Sequence, residues 1–129
     1  MKRIPTYKRA LAKVRSLMAD GEPADALREL DSLLLDWQDQ PALLVLRAEL
    51  IQLQDQSGPP LEEAAEALKR AVILDDRNAD AWLELAHFQY AVEDDAKAAE
   101  KSFSHSIAAS SHALIAALLG RAAALGLIP

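Results

Sequence analysis

Apolar residues return at three- and four-residue steps along this chain, as in Leu27, Leu30, Leu33 and Leu34, and again in Leu61, Ala64, Ala65, Leu68, Ala71 and Val72. That spacing places them on one stripe of an amphipathic helix, whose polar remainder faces water. Clusters of turn-forming residues interrupt the pattern: Asp20-Gly21-Glu22-Pro23, Asp39-Gln40-Pro41, Ser57-Gly58-Pro59-Pro60, Asp75-Asp76-Arg77-Asn78 and Glu93-Asp94-Asp95. Ser110-Ser111 supplies N-cap residues for one more start. The pattern predicts about seven helices, over 6–20, 23–37, 41–55, 61–75, 79–92, 95–109 and 112–126. Alanine and leucine dominate and β-branched runs are missing, so local propensity agrees and strands are not expected. Connections this short make successive helices antiparallel neighbours.

The helices also repeat in pairs. Ala26-x3-Leu30-x2-Leu33, Ala64-x3-Leu68-x2-Ala71 and Ala99-x3-Phe103-x2-Ser106 each follow a turn, at intervals of 38 and then 35 residues. Ahead of the second and third turns lie Ala42-Leu43-Leu44-Val45-Leu46-Arg47-Ala48 and Ala81-Trp82-Leu83-Glu84-Leu85-Ala86. A helix pair of this size cannot bury its own apolar face, so the pairs are expected to pack on one another.

With Trp82-x2-Leu85-Ala86, Ala99-x3-Phe103 and the link from Leu74 to Trp82, the chain resembles the tetratricopeptide repeat family, whose unit is an antiparallel helix pair of about 34 residues. The resemblance implies an all-α, right-handed superhelical stack, an α-solenoid of three repeats near 7–40, 41–78 and 79–112 with a closing helix over 112–126. All of 1–129 would form one domain. Small residues at Ala48, Ala64, Ala86 and Ala99 are expected where paired helices approach, with Leu30, Leu68, Trp82 and Phe103 filling the larger spaces. The repeats are degenerate: Gln89 stands at the usual tyrosine, Asp76 or Ser111 at the usual proline, and Arg47 interrupts an apolar run.

In proteins of that family the first helices of each pair line a concave groove. Carried onto this sequence, one groove row is Leu11, Val45 and Leu83, a second Arg15, Glu49 and His87, and a third Met18, Gln52 and Tyr90. The rows lack a repeated cationic clamp for a peptide carboxylate. Their apolar floor suits an amphipathic helix or an extended segment of a partner protein.

Charge and composition narrow the chemistry. Lys2, Arg3, Lys8, Arg9, Lys13 and Arg15 open the chain with no acid among them, while the remainder is strongly acidic and the formal net charge is −6. The basic segment could touch nucleic acid or anionic lipid, or be neutralised by Asp20, Glu22, Asp25 and Glu29. The acidic body makes nucleic acid an unexpected partner. With no cysteine, thiolate catalysis and cysteine-ligated metal are excluded, and a cytoplasmic location is expected. Four dispersed glycines build no phosphate loop. His87, His105 and His112 have no acid at ligand spacing, Glu93-Asp94-Asp95 lacks the alternation of a calcium loop, and the serines around His105 have no acid partner. No enzyme, cofactor or metal is expected.

The segment from Ala113 to Ile128 is apolar nearly all round, unlike an ordinary capping helix. Read as a separate helix it is too short to span a membrane, and Arg121 sits near its middle. Leu114, Leu118, Arg121 and Leu125 are therefore a candidate second interface, including a homodimer seam. The sequence points to a protein-interaction scaffold or adaptor, with a homo-oligomeric structural subunit as the other reading.

Overall fold

The computed structural model describes residues 4–55 and 57–127, and among them every regular element is an α-helix. These are α1 (Ile4–Ala19), α2 (Pro23–Asp36), α3 (Pro41–Gln52), α4 (Leu61–Leu74), α5 (Ala79–Ala91) and α6 (Ala96–Ala124). The first five fall where the pattern predicts them. Lys2, Arg3 and Ile128 lie outside the described residues.

The expected helix count of seven is corrected to six among the described residues, because 95–109 and 112–126 are one helix that runs through Ser110-Ser111. Serine in a helix interior costs only about half a kcal/mol relative to alanine. No Gly or Pro stands at the junction, which Ala109 precedes and His112-Ala113 follows. An N-cap signal ends a helix only where the chain also turns.

The chain divides into two compact units, one through Asp75 and one from Asp76. In the first, α1 packs on α2, α2 on α3, and α3 on α4. Val14, Leu30, Leu43, Leu50, Ile51 and Leu68 are its largest fully buried side chains, with Ala26, Ala48, Ala64 and Ala71 between them. In the second, α5 packs along α6. Ala81, Leu85, Ala86, Phe88 and Gln89 of α5 are buried, as are Ala99, Ser102, Ser106 and Ala109 of α6. The expected small residues Ala48, Ala64, Ala86 and Ala99 are all buried, and so are Leu30 and Leu68. Trp82 and Phe103 are only half-buried. Trp82 stacks on His105 with 4.2 Å between centroids, and its Nε1–H donates to the Asp76 carbonyl at 2.7 Å. The aromatic in the interior of this unit is Phe88.

Helix ends carry their own instructions. Gly21, with φ +75°, lets α1 close by bonds from its N–H to Met18 O and from Glu22 N–H to Leu17 O, which satisfies carbonyls that would otherwise be orphaned. Pro23 and Pro41 open α2 and α3, where a missing N–H costs nothing. Asn78 and Asp95 cap α5 and α6 by accepting from Ala81 N–H and Ala98 N–H.

In the connection between α3 and α4, the Asp55 carboxylate accepts from both the hydroxyl and the N–H of Ser57. The hydroxyl bond, then the backbone bond, holds the exposed carboxyl below its ordinary 3.8. A depressed folded-state value means that the stabilisation is present above 3.8 and is lost as pH falls through the lower folded value. Ser57→Ala should move the Asp55 midpoint up toward 3.8 in a carboxyl-carbon NMR titration. An unmoved midpoint would contradict that assignment.

Candidate functional site: outward helix faces and a charged cleft

Each expected groove triad occupies one face of its own helix, since residues at i, i+4 and i+7 share a side. On α5, Leu83 is 37% exposed and Tyr90 64% exposed, with His87 exposed between them. This face lies opposite the side that buries Leu85, Ala86 and Phe88. His87 also meets Phe103 edge to face at 5.2 Å, so its ring is oriented by α6.

On α3, Val45 is half-buried while Glu49 and Gln52 are exposed, again opposite the side carrying Leu43, Leu50 and Ile51. Gln52 donates to the Ala48 carbonyl of its own helix at 3.1 Å. On α1, Leu11 and Met18 are half-buried and Arg15 is exposed. Val14 on the same helix is fully buried, so the triad flanks the packed stripe. The α1 and α3 triads belong to the first unit and the α5 triad to the second.

The first unit also holds a cleft of about 470 Å³ whose lining the groove rows do not include. Leu34, Leu35, Leu44 and Ala67 give it an apolar floor. Arg47 of α3 crosses it: its Nε donates to Asp31 Oδ1 of α2 at 2.8 Å and its Nη2 faces Glu63 Oε1 of α4 at 3.7 Å. The side chain is 19% exposed, so this cation ties three helices from a partly desolvated position. Arg70 pairs with Asp39 at 3.2 Å on the same side. The signal in the sequence was Arg47 itself, a cation inside an apolar run. Its partners, on two other helices, have no spacing rule that would find them.

The basic N-terminal segment is partly engaged, with Lys13 Nζ on Glu29 Oε1 at 3.0 Å. That is the neutralising pairing expected of the next helix. Glu93-Asp94-Asp95 is an exposed turn, with Asp94 at φ 52° and Asp95 spent as a cap. His105 and His112 do share one side of the continuous α6 and line a cleft of about 210 Å³ with Asp76 and Arg77. Among the described residues no three His, Cys, Asp or Glu side chains converge as a metal site.

The candidate second interface is fully on the surface. Leu114, Leu118, Arg121 and Leu125 are exposed, as are Ile115 and Leu119. Because α6 does not break at Ser110-Ser111, the length argument against a membrane span falls. Among the described residues α6 is the one helix long and apolar enough to cross a membrane.

The chain was compared with known protein families and with curated proteins, and it matches no family model and no curated protein.

Proposed function

We propose that the chain is a protein-interaction scaffold, holding a helix or an extended segment of a partner protein against the outward faces of its first helices. In this reading its hairpins are degenerate tetratricopeptide-like repeats stacked in a right-handed superhelix. It works in the cytoplasm, without catalysis or cofactor. The observation that supports it most is the α5 row. Tyr90 and Leu83 share the face turned away from the hairpin core, and Tyr90 is 64% exposed. An exposed tyrosine beside an aliphatic residue is the kind of pair that carries binding energy, since it offers large contact area at small entropic cost. His87, exposed between them on the same helix, adds a polar group of the kind found at the rim of a peptide groove.

The test is capture of a partner by cross-linking, first with the unaltered chain and then with Leu83→Glu/Tyr90→Glu. Both side chains are outside the core, so helicity by circular dichroism should be unchanged. Recovery of a stoichiometric foreign protein should fall by roughly 30-fold or more, as for the loss of an interfacial hot spot. Equal recovery with both chains would remove the α5 face from the site. The second reading, a homo-oligomeric structural subunit, is favoured by one separate observation, the uncovered apolar half of α6.

A further inference from the structure

The N-terminal half of α6 is spoken for, because Ala99, Ser102, Ser106 and Ala109 face α5. Beyond Ala109 no residue through Arg121 is buried. The helix nevertheless continues to Ala124, where Gly126, at φ +75°, stops it with bonds from its own N–H to Ala123 O and from Leu127 N–H to Ala122 O. A helix apolar nearly all round and packed on nothing is unstable in water unless something covers it.

The pattern from Ile107 to the C-cap Leu125 names the cover. Ile107, Ser111, Leu114, Leu118, Arg121 and Leu125 succeed one another at alternating four- and three-residue steps, the seam of a two-helix coiled coil. The four aliphatic members are between 55% and 67% exposed. At about 100° per residue, the seam lies roughly 120° around the helix from the α5 side, so the hairpin does not block it. Read from either end, the seam runs apolar, polar, apolar, apolar, polar, apolar. An interface between two identical chains related by a twofold axis needs such a self-complementary patch.

We propose that the segment from Ile107 to Leu125 pairs antiparallel with the same segment of a second copy of this chain. In that register Ile107 meets Leu125 of the other copy, Leu114 meets Leu118, and Arg121 faces Ser111, whose hydroxyl accepts from the guanidinium. A parallel pair would instead set the two Arg121 cations against each other in an apolar seam. The exposed aliphatic side chains offer on the order of 500 Å² per chain, so a pair reaches about the 1,000 Å² that a specific interface needs. Lipid fits less well. The same stretch carries Arg121, whose cation is costly inside a hydrocarbon core.

The chain has no cysteine, so introduced thiols report geometry without background. Sedimentation equilibrium of the full chain should show a monomer–dimer equilibrium that Leu118→Glu weakens by about 100-fold, with helicity of the α5–α6 hairpin retained. Mixing Ile107→Cys with Leu125→Cys should give a disulfide-linked heterodimer on mild oxidation, and Leu125→Cys alone should not link to itself. A monomer at millimolar concentration overturns the proposal. So does efficient Leu125→Cys self-linkage, which means a parallel pair. Sedimentation of the monomeric chain with phosphatidylcholine–phosphatidylglycerol vesicles, lost in Leu118→Glu, makes lipid the cover and overturns it too. The failure of this test leaves the partner capture assigned to Leu83 and Tyr90 standing, and the converse holds.

Discussion

Replacing Phe88 with alanine should cost about 3–5 kcal/mol in chemical denaturation, enough to unfold most of the α5–α6 hairpin at physiological temperature. Phe88 is 3% exposed and is the one aromatic in the buried side of α5. Leu85 and Ala81 share its side of α5, and the buried residues of α6 are Ala99, Ser102, Ser106 and Ala109. The half-buried Trp82 serves as the internal contrast. Trp82→Ala removes a larger ring but loses a stack on His105 and one hydrogen bond near the surface, and should cost clearly less. Equal losses would mean that the core of this unit is built around Trp82, as the family resemblance had suggested.

The second large effect concerns the polar pair inside the same hairpin. Ser102 donates its hydroxyl proton to Gln89 Oε1 at 2.6 Å, with both residues buried. Ser102→Ala leaves the amide oxygen without that donor in a dry contact and should cost about 1–3 kcal/mol. Replacing both, as Gln89→Leu/Ser102→Ala, removes the desolvation cost together with the bond and should restore most of the loss. A double variant as unstable as the sum of the two single ones would show that the residues do not act as a pair. Gln89 stands where a tetratricopeptide-like repeat would carry tyrosine. A glutamine there needs a polar partner across the hairpin, and Ser102 provides one.

Much of this architecture was legible in the chain because its information is local. The stripe from Leu61 to Val72, the prolines that open α2 and α3, and Gly21 at the close of α1 each act within a turn or two, and each element lies where they indicate. Ala48, Ala64, Ala86 and Ala99, which the sequence spacing picks out as small interior positions, are all buried.

Two features were not legible. Ser110-Ser111 has the composition of a cap, but capping competes with helix propagation by only a fraction of a kcal/mol per residue, and α6 runs on. The cleft crossed by Arg47 depends on Asp31 and Glu63, which reach it from helices on either side. A single sequence shows the cation and hides its partners. The outward triads on α1, α3 and α5 were nameable from helix geometry. Which of them meets a partner is a property of the partner as well.

The most direct test of the hairpin account is residue-resolved NMR of the full chain, read through the Cα shifts and the amide hydrogen exchange. Six helical segments are expected within residues 4–127, with unbroken helical shifts across Ser110-Ser111 and the slowest exchange at Leu50, Leu68 and Phe88. Extended-strand shifts anywhere in the apolar stripes, or fast exchange at Leu50, Leu68 and Phe88, would contradict it.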